Sequence, residues 1–185
     1  MNPMATSKET ILKTSRELIQ KNGWAGVNIR SVAAACGVSV GCIYNYFASK
    51  TALLSATVES IWNDIFHHPE DALVFRDTLS CVRWMYQQLA YGCQRYPGFF
   101  THHALGFVRE DTADGKQQMQ RAWRHILDAL CKVLRSDPKV RADAFTEEFT
   151  VEQFAEMLFS LMLSALVRQD FDPSTVLEVV RRTIY

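Results

Sequence analysis

The stretch CGVSVGCIYNYFASK, residues 36–50, decides the fold. Gly37 follows a run of small and apolar residues and fits the left-handed position that closes a helix, because it has no Cβ to clash there. Two residues on, Ser39 can cap a new helix by accepting from the free N–H groups of its first turn. Upstream, Asn28 can cap the preceding segment IRSVAAAC in the same way. Two short helices joined by a glycine turn are the layout of a helix-turn-helix. The second helix, ending near Phe47, divides by face. Val38, Ile43 and Phe47 fit inward against Val32, Ala33 and Cys36, and Ser39, Val40, Gly41, Tyr44, Asn45 and Tyr46 are left to face out. A few apolar residues hold this helix and the others are free to touch something.

Working outward, every other segment also reads as helix. Residues 7–22 carry an apolar stripe of Ile11, Leu12, Ser15, Leu18 and Ile19, capped by Thr6 or Ser7 and ended by Gly23. A helix opened by Ala48 or Ser49 runs to 66, where His67, His68 and Pro69 break the chain. Phe75, Leu79, Val82, Tyr86, Leu89, Cys93 and Tyr96 recur at alternating spacings of four and three, one helical face. FFTHHALGFV, 99–108, predicts a short helix and 111–115 a polar loop. Met119, Trp123, Ile126, Leu130 and Leu134 mark the next helix, and 136–143 a second loop. The helix at 149–169 is apolar on more than one side, and Asp172 with Pro173 predicts a capped final helix. The expected fold is all-α, with about nine helices. A three-helix head occupies residues 1–50, the helix 48–66 links it onward, and 67–185 form a larger helical bundle.

Composition narrows the function classes. Hydrophobic residues make up 48% of the 185, enough for a compact core. No apolar run reaches the ~18–20 residues needed to cross a bilayer. The opening MNPMATSKET lacks the apolar core of a signal peptide, so a cytoplasmic location is expected. The five cysteines are odd in number and form no CxxC, which fits a reducing compartment. Residues 1–50 hold six Lys/Arg (Lys8, Lys13, Arg16, Lys21, Arg30, Lys50) against Glu9 and Glu17, a net +4, and the remainder carries −4. A basic head on an acidic body points to a polyanion. No G-x-S-x-G, P-loop, GxGxxG or HExxH occurs, so no enzyme is expected. The pairs His67-His68 and His102-His103 are adjacent residues, which on a helix point ~100° apart. Neither a metal nor any other cofactor is expected.

DNA suits the outward face. The tyrosine hydroxyls and Ser39 can donate to phosphate oxygens, Lys50 can pair with a phosphate, and Gly41 lets the backbone approach base edges. Arg30 can form a bidentate pair with guanine. Two other readings stay open on these residues. The head can dock an acidic protein partner, or the chain can be a small-molecule carrier with a vestigial head.

The segment NIRSVAAACGVSVGCIYNYFASKTALLSATV resembles the signature of the TetR family of transcriptional regulators. The matching residues are Ala33, Gly37, Val38, Ser39, Gly41, Ile43, Tyr44, Phe47, Ser49, Lys50, Leu53 and Leu54, and the likeness covers about residues 8–60. The resemblance implies a homodimer that binds a double-stranded, palindromic DNA operator, commonly as a repressor, with a small-molecule effector in the C-terminal domain. It implies DNA contacts from Asn28, Arg30, Ser39, Val40, Gly41, Cys42, Tyr44, Asn45, Tyr46 and Lys50. Cys42 replaces the common Thr and Tyr46 the common His. For the body, the aromatic-rich middle suggests a pocket for a partly apolar effector, with Trp84, Tyr91, Phe99, Phe100, His103, Phe107 and Trp123 as lining candidates. The last two helices match the place of the family's dimer interface, which here means Phe159, Met162, Leu163, Leu166, Val176 and Val180.

Overall fold

The computed structural model describes residues 6–66, 75–99 and 113–185. These hold eight α-helices and no strand: α1 Lys8–Asn22, α2 Ile29–Cys36, α3 Val40–Tyr46, α4 Lys50–Phe66, α5 Thr78–Arg95, α6 Ala113–Ser136, α7 Val151–Arg168 and α8 Ser174–Ile184. A 3-10 turn, Trp24–Gly26, follows α1. The helix expected at 99–108 lies outside the described residues except for Phe99. The break at 67–69 lies outside them too.

Local chemistry explains most boundaries. Ser7 caps α1, accepting from the Thr10 N–H at 3.0 Å. Asn28 and Ser31 form a reciprocal cap on α2: Asn28 Oδ1 accepts from the N–H groups of Arg30 and Ser31, and Ser31 Oγ accepts from the Asn28 N–H. Gly37 ends α2 at φ +68°. Its N–H reaches Ala34 O and the Val38 N–H reaches Ala33 O, the paired bonds of a glycine-closed helix end. Thr150 and Gln153 repeat the reciprocal cap on α7. Two boundaries differ from the sequence pattern. α6 starts at Ala113, inside the stretch expected to be a polar loop. α8 starts at Ser174, one residue later than expected: Pro173 takes the cap position, and Asp172 accepts from both the N–H and the hydroxyl of Ser174.

The chain divides into two compact units, Met1–Asp64 with Gly92–Met119, and Ile65–Tyr91 with Gln120–Tyr185. In the first, Ile11, Ile19, Val32, Ile43, Leu53 and Ile61 are completely buried. Its buried Ser15 and Thr57 are satisfied by donating to the carbonyls of Ile11 and Leu53 one turn back. In the second, Phe154 packs on Phe145 and Phe149, and Trp123 meets Phe159 edge to face at 5.5 Å. Asp137, just past α6, ties this unit together. Its carboxylate accepts from the N–H groups of Thr78 and Lys139 and from the Tyr185 hydroxyl. Burial pushes its pKa up, but these bonds outweigh burial and hold it below the ordinary carboxylate value.

Candidate nucleic-acid interface

α3 is seven residues long, too short to be stable alone. It is held by its neighbours. Ile43 is fully buried and Phe47 nearly so, and α3 packs on α2, whose Val32, Ala33 and Cys36 are buried as well. Val38 is half-buried. Ser39 accepts from the Cys42 N–H at 3.2 Å and starts the helix. Most of the rest of α3 is turned out. Ser39, Val40, Gly41, Tyr44, Asn45 and Tyr46 are exposed, and Cys42 is half-buried. Asn28, Arg30 and Lys50 are also exposed. All ten residues expected at a DNA face therefore carry accessible surface, and all lie in the first unit.

The surface has a distinct chemistry. α3 itself carries no formal charge, and the cations Arg30 and Lys50 come from α2 and α4. An uncharged reading edge flanked by cations can separate base contact from phosphate contact. Besides Ser39, which caps α3, two of the ten side chains have other commitments. Asn28 uses its carbonyl oxygen to cap α2. The Tyr46 hydroxyl donates to the Thr6 carbonyl at 2.6 Å, forty residues away in sequence. The Lys8 ammonium sits 5.8 Å from the Phe47 ring centre, so the start of α1 meets the end of α3 at two points.

The effector candidates are spread over the chain. Phe100, His103 and Phe107 lie outside the described residues. Phe99 is completely buried in the first unit, against Trp24 and Tyr96. Trp84, Tyr91 and Trp123 belong to the second. There Trp84 meets Phe66 edge to face and Phe75 at a tilt, and its indole N–H donates to Gln88 when the Gln88 amide is turned to donate to Ile65 O. Of the expected dimer residues, Phe159, Met162, Leu166 and Val180 are buried within the single chain, while Leu163 and Val176 are half-buried. The large apolar side chains left exposed on the last two helices are instead Met157, Val167 and Val179. Sequence reasoning also passed over Asp64, Arg16 and Arg95 as a group. Their signal is three-dimensional, because they come together from α1, α4 and the end of α5.

The arrangement defines an all-helical protein with a helix-turn-helix head. Residues 11–57 match the family model described as bacterial regulatory proteins, tetR family, and the head is a tetR-family helix-turn-helix. The HTH-type transcriptional regulator YerO of Bacillus subtilis is 45% identical over 56 residues, 30% of this chain and 19% of that protein. The nucleoid occlusion factor SlmA of Sodalis glossinidius is 27% identical over 186 residues, 92% of this chain and 87% of that one. The transcriptional regulator FadR of Bacillus subtilis, solved in complex with stearoyl-CoA, superposes with a TM-score of 0.64 at 18% identity, over 97% of this chain and 100% of that one. This last likeness speaks for the fold alone. Among the described residues, no helix is long and apolar enough to cross a membrane.

Proposed function

We propose that the chain is a ligand-responsive transcriptional repressor that binds a palindromic operator as a homodimer. The observation that carries this reading is the partition of α3, with Ile43 buried to anchor it and Val40, Tyr44, Asn45 and Tyr46 outside. In a DNA complex α3 enters the major groove. Val40 and Gly41 meet base edges or thymine methyls, Asn45 and Arg30 pair with bases, and Tyr44 and Lys50 hold phosphates. A partner copy places a second α3 one helical turn away, ~34–36 Å.

The dimer face is drawn from residues that the chain's own packing leaves uncovered. On α7 these are Met157, Ser160, Ser164 and Val167, spaced three or four apart. On α8, Thr175, Val179 and Arg182 border a surface depression of about 490 Å³ that a partner's side chains can fill. The effector is a small molecule with an apolar body and a polar end, bound in the body. The FadR structure with stearoyl-CoA is a relative in fold holding a ligand of that kind. The effector lowers operator affinity only by preferring a conformation in which the two heads are wrongly spaced. No catalytic step is part of this role.

The test is fluorescence anisotropy of the protein on the duplex flanking its own gene against a scrambled duplex, across a salt series. The expected result is a preference of at least ~10³-fold, with both affinities falling as salt rises. Equal, weak binding to both, followed by failure to select any duplex from a random pool, rejects the reading. The alignment with a nucleoid occlusion factor over 92% of this chain favours a second one, in which the DNA-bound protein acts on something other than transcription. Genome-wide occupancy separates the two: a few promoter sites support regulation, and many scattered sites support the alternative.

A further inference from the structure

The first unit contains residues that the sequence places far from it. Tyr96 and Phe99 have no exposed surface. The Phe99 ring centre lies 5.8 Å from that of Trp24, in the turn after α1, and 6.4 Å from that of Tyr96. The Tyr96 hydroxyl donates to Asp64 Oδ2 at 2.6 Å, and Arg95 Nε lies 3.3 Å from the same oxygen. Arg16 of α1 reaches the other carboxylate oxygen at 3.9 Å, and its guanidinium also donates to Ser60. One carboxylate, near the end of α4, thus gathers α1, α4 and the end of α5. α1 in turn packs on α2, and α2 on α3.

The contacts differ in strength. Arg95 is well exposed, and an exposed ion pair contributes little. The Tyr96 bond is the firmer one: a fully buried ring presents its hydroxyl to an ionised acceptor, and charge-assisted bonds are the stronger kind. Burial and the Asp64 bond push the Tyr96 phenol up to about 12, so the hydroxyl stays a donor at any physiological pH.

We infer that Asp64 is a positioning residue for the DNA-binding head, clamping α1 and α4 to residues 95–99 so that the head is held in the form that binds its operator. This rests on the DNA-binding reading above. The experiment uses the full chain, Tyr96→Phe and Asp64→Asn singly and together, with an operator selected by the wild type from random duplexes. Tyr96→Phe keeps the ring and its packing on Phe99, so the fold survives. Each single variant is expected to bind operator roughly 5–10-fold more weakly at a temperature well below its melting point. The salt slope stays unchanged, because no phosphate contact is lost. The double variant is no weaker than the worse single one, because Tyr96→Phe removes the same bond that Asp64→Asn strips of its charge. Amide exchange in α1 and at 95–99 speeds up in both. A clamp that served stability alone would lower the melting temperature and leave operator affinity within twofold of wild type, and that result overturns the inference. If the wild type selects no duplex, the DNA reading has failed instead. Amide exchange then decides the clamp, and unchanged exchange in α1 rejects it.

Discussion

Tyr44 and Tyr46 look alike in the sequence, and on the surface of α3 they are 49% and 41% exposed. Removing the two hydroxyls should nevertheless have opposite consequences. The Tyr46 hydroxyl already donates to the Thr6 carbonyl at 2.6 Å, whereas that of Tyr44 meets no hydrogen-bond partner among the described residues. A neutral hydrogen bond is worth ~1 kcal/mol net. On a two-fold operator Tyr44→Phe removes one phosphate bond from each half-site, ~2 kcal/mol together, or roughly 30-fold in Kd. Its melting temperature should not move. Tyr46→Phe removes an internal bond, so ~1 kcal/mol of stability goes, a drop of ~2–4 °C for a chain of this size. Operator affinity should fall by less than in Tyr44→Phe. The assays are differential scanning calorimetry and anisotropy on one operator at one salt concentration. The opposite pattern, Tyr44→Phe melting early and Tyr46→Phe losing DNA, would refute the reasoning.

Four further outcomes are expected. A Cβ at Gly37 meets nothing within 4 Å, so Gly37→Ala should cost only the ~1–2 kcal/mol of a left-handed backbone, and Gly37→Asn less, as read by chemical denaturation. Lys50→Ala removes one phosphate partner per half-site, which should make the slope of log K against log salt shallower by about 2 in a salt titration. Val167→Asp, at a side chain 54% exposed, should turn the proposed dimer into a folded monomer in analytical ultracentrifugation, while Phe159→Asp should unfold the chain; a Val167→Asp dimer would remove α7 from the proposed interface. Asp137 has its pKa held below the unfolded value of ~3.9, so its ionised form adds stability above that pH and loses it as pH falls through the lower folded value. Wild-type melting temperature should therefore drop more steeply below about pH 4 than that of Asp137→Asn.

The head was legible because its signals are local. Ser7, Gly23, Asn28, Gly37 and Ser39 each close or open a helix through atoms within a few residues, and the buried positions of α2 and α3 follow helical spacing. Where a boundary was missed, a longer-range effect won. Gly115 disfavours helix by ~1 kcal/mol, yet it lies inside the 24-residue α6, whose apolar rows pack onward to Leu134. For α7 the pattern announced apolar residues on several sides. Periodicity alone could not say which side the chain keeps for its own core, and Phe159, Met162 and Leu166 went inside while Met157 and Val167 stayed out. The Tyr46–Thr6 and Tyr96–Asp64 bonds span forty and thirty-two residues, and no spacing rule reaches that far.

The burial of Phe99 and Tyr96 bears on how such a chain can be recombined. A graft that exchanges everything before residue 67 for the head of a relative looks clean on the primary structure. It would leave Trp24's partner behind and set a foreign turn against this chain's Phe99. A working chimera must carry 92–99 together with the head, or redesign the turn at 23–26 to receive it. The packing of the head is therefore not a cassette that can be lifted from the first third of the chain. Part of it travels with a short segment close to the middle.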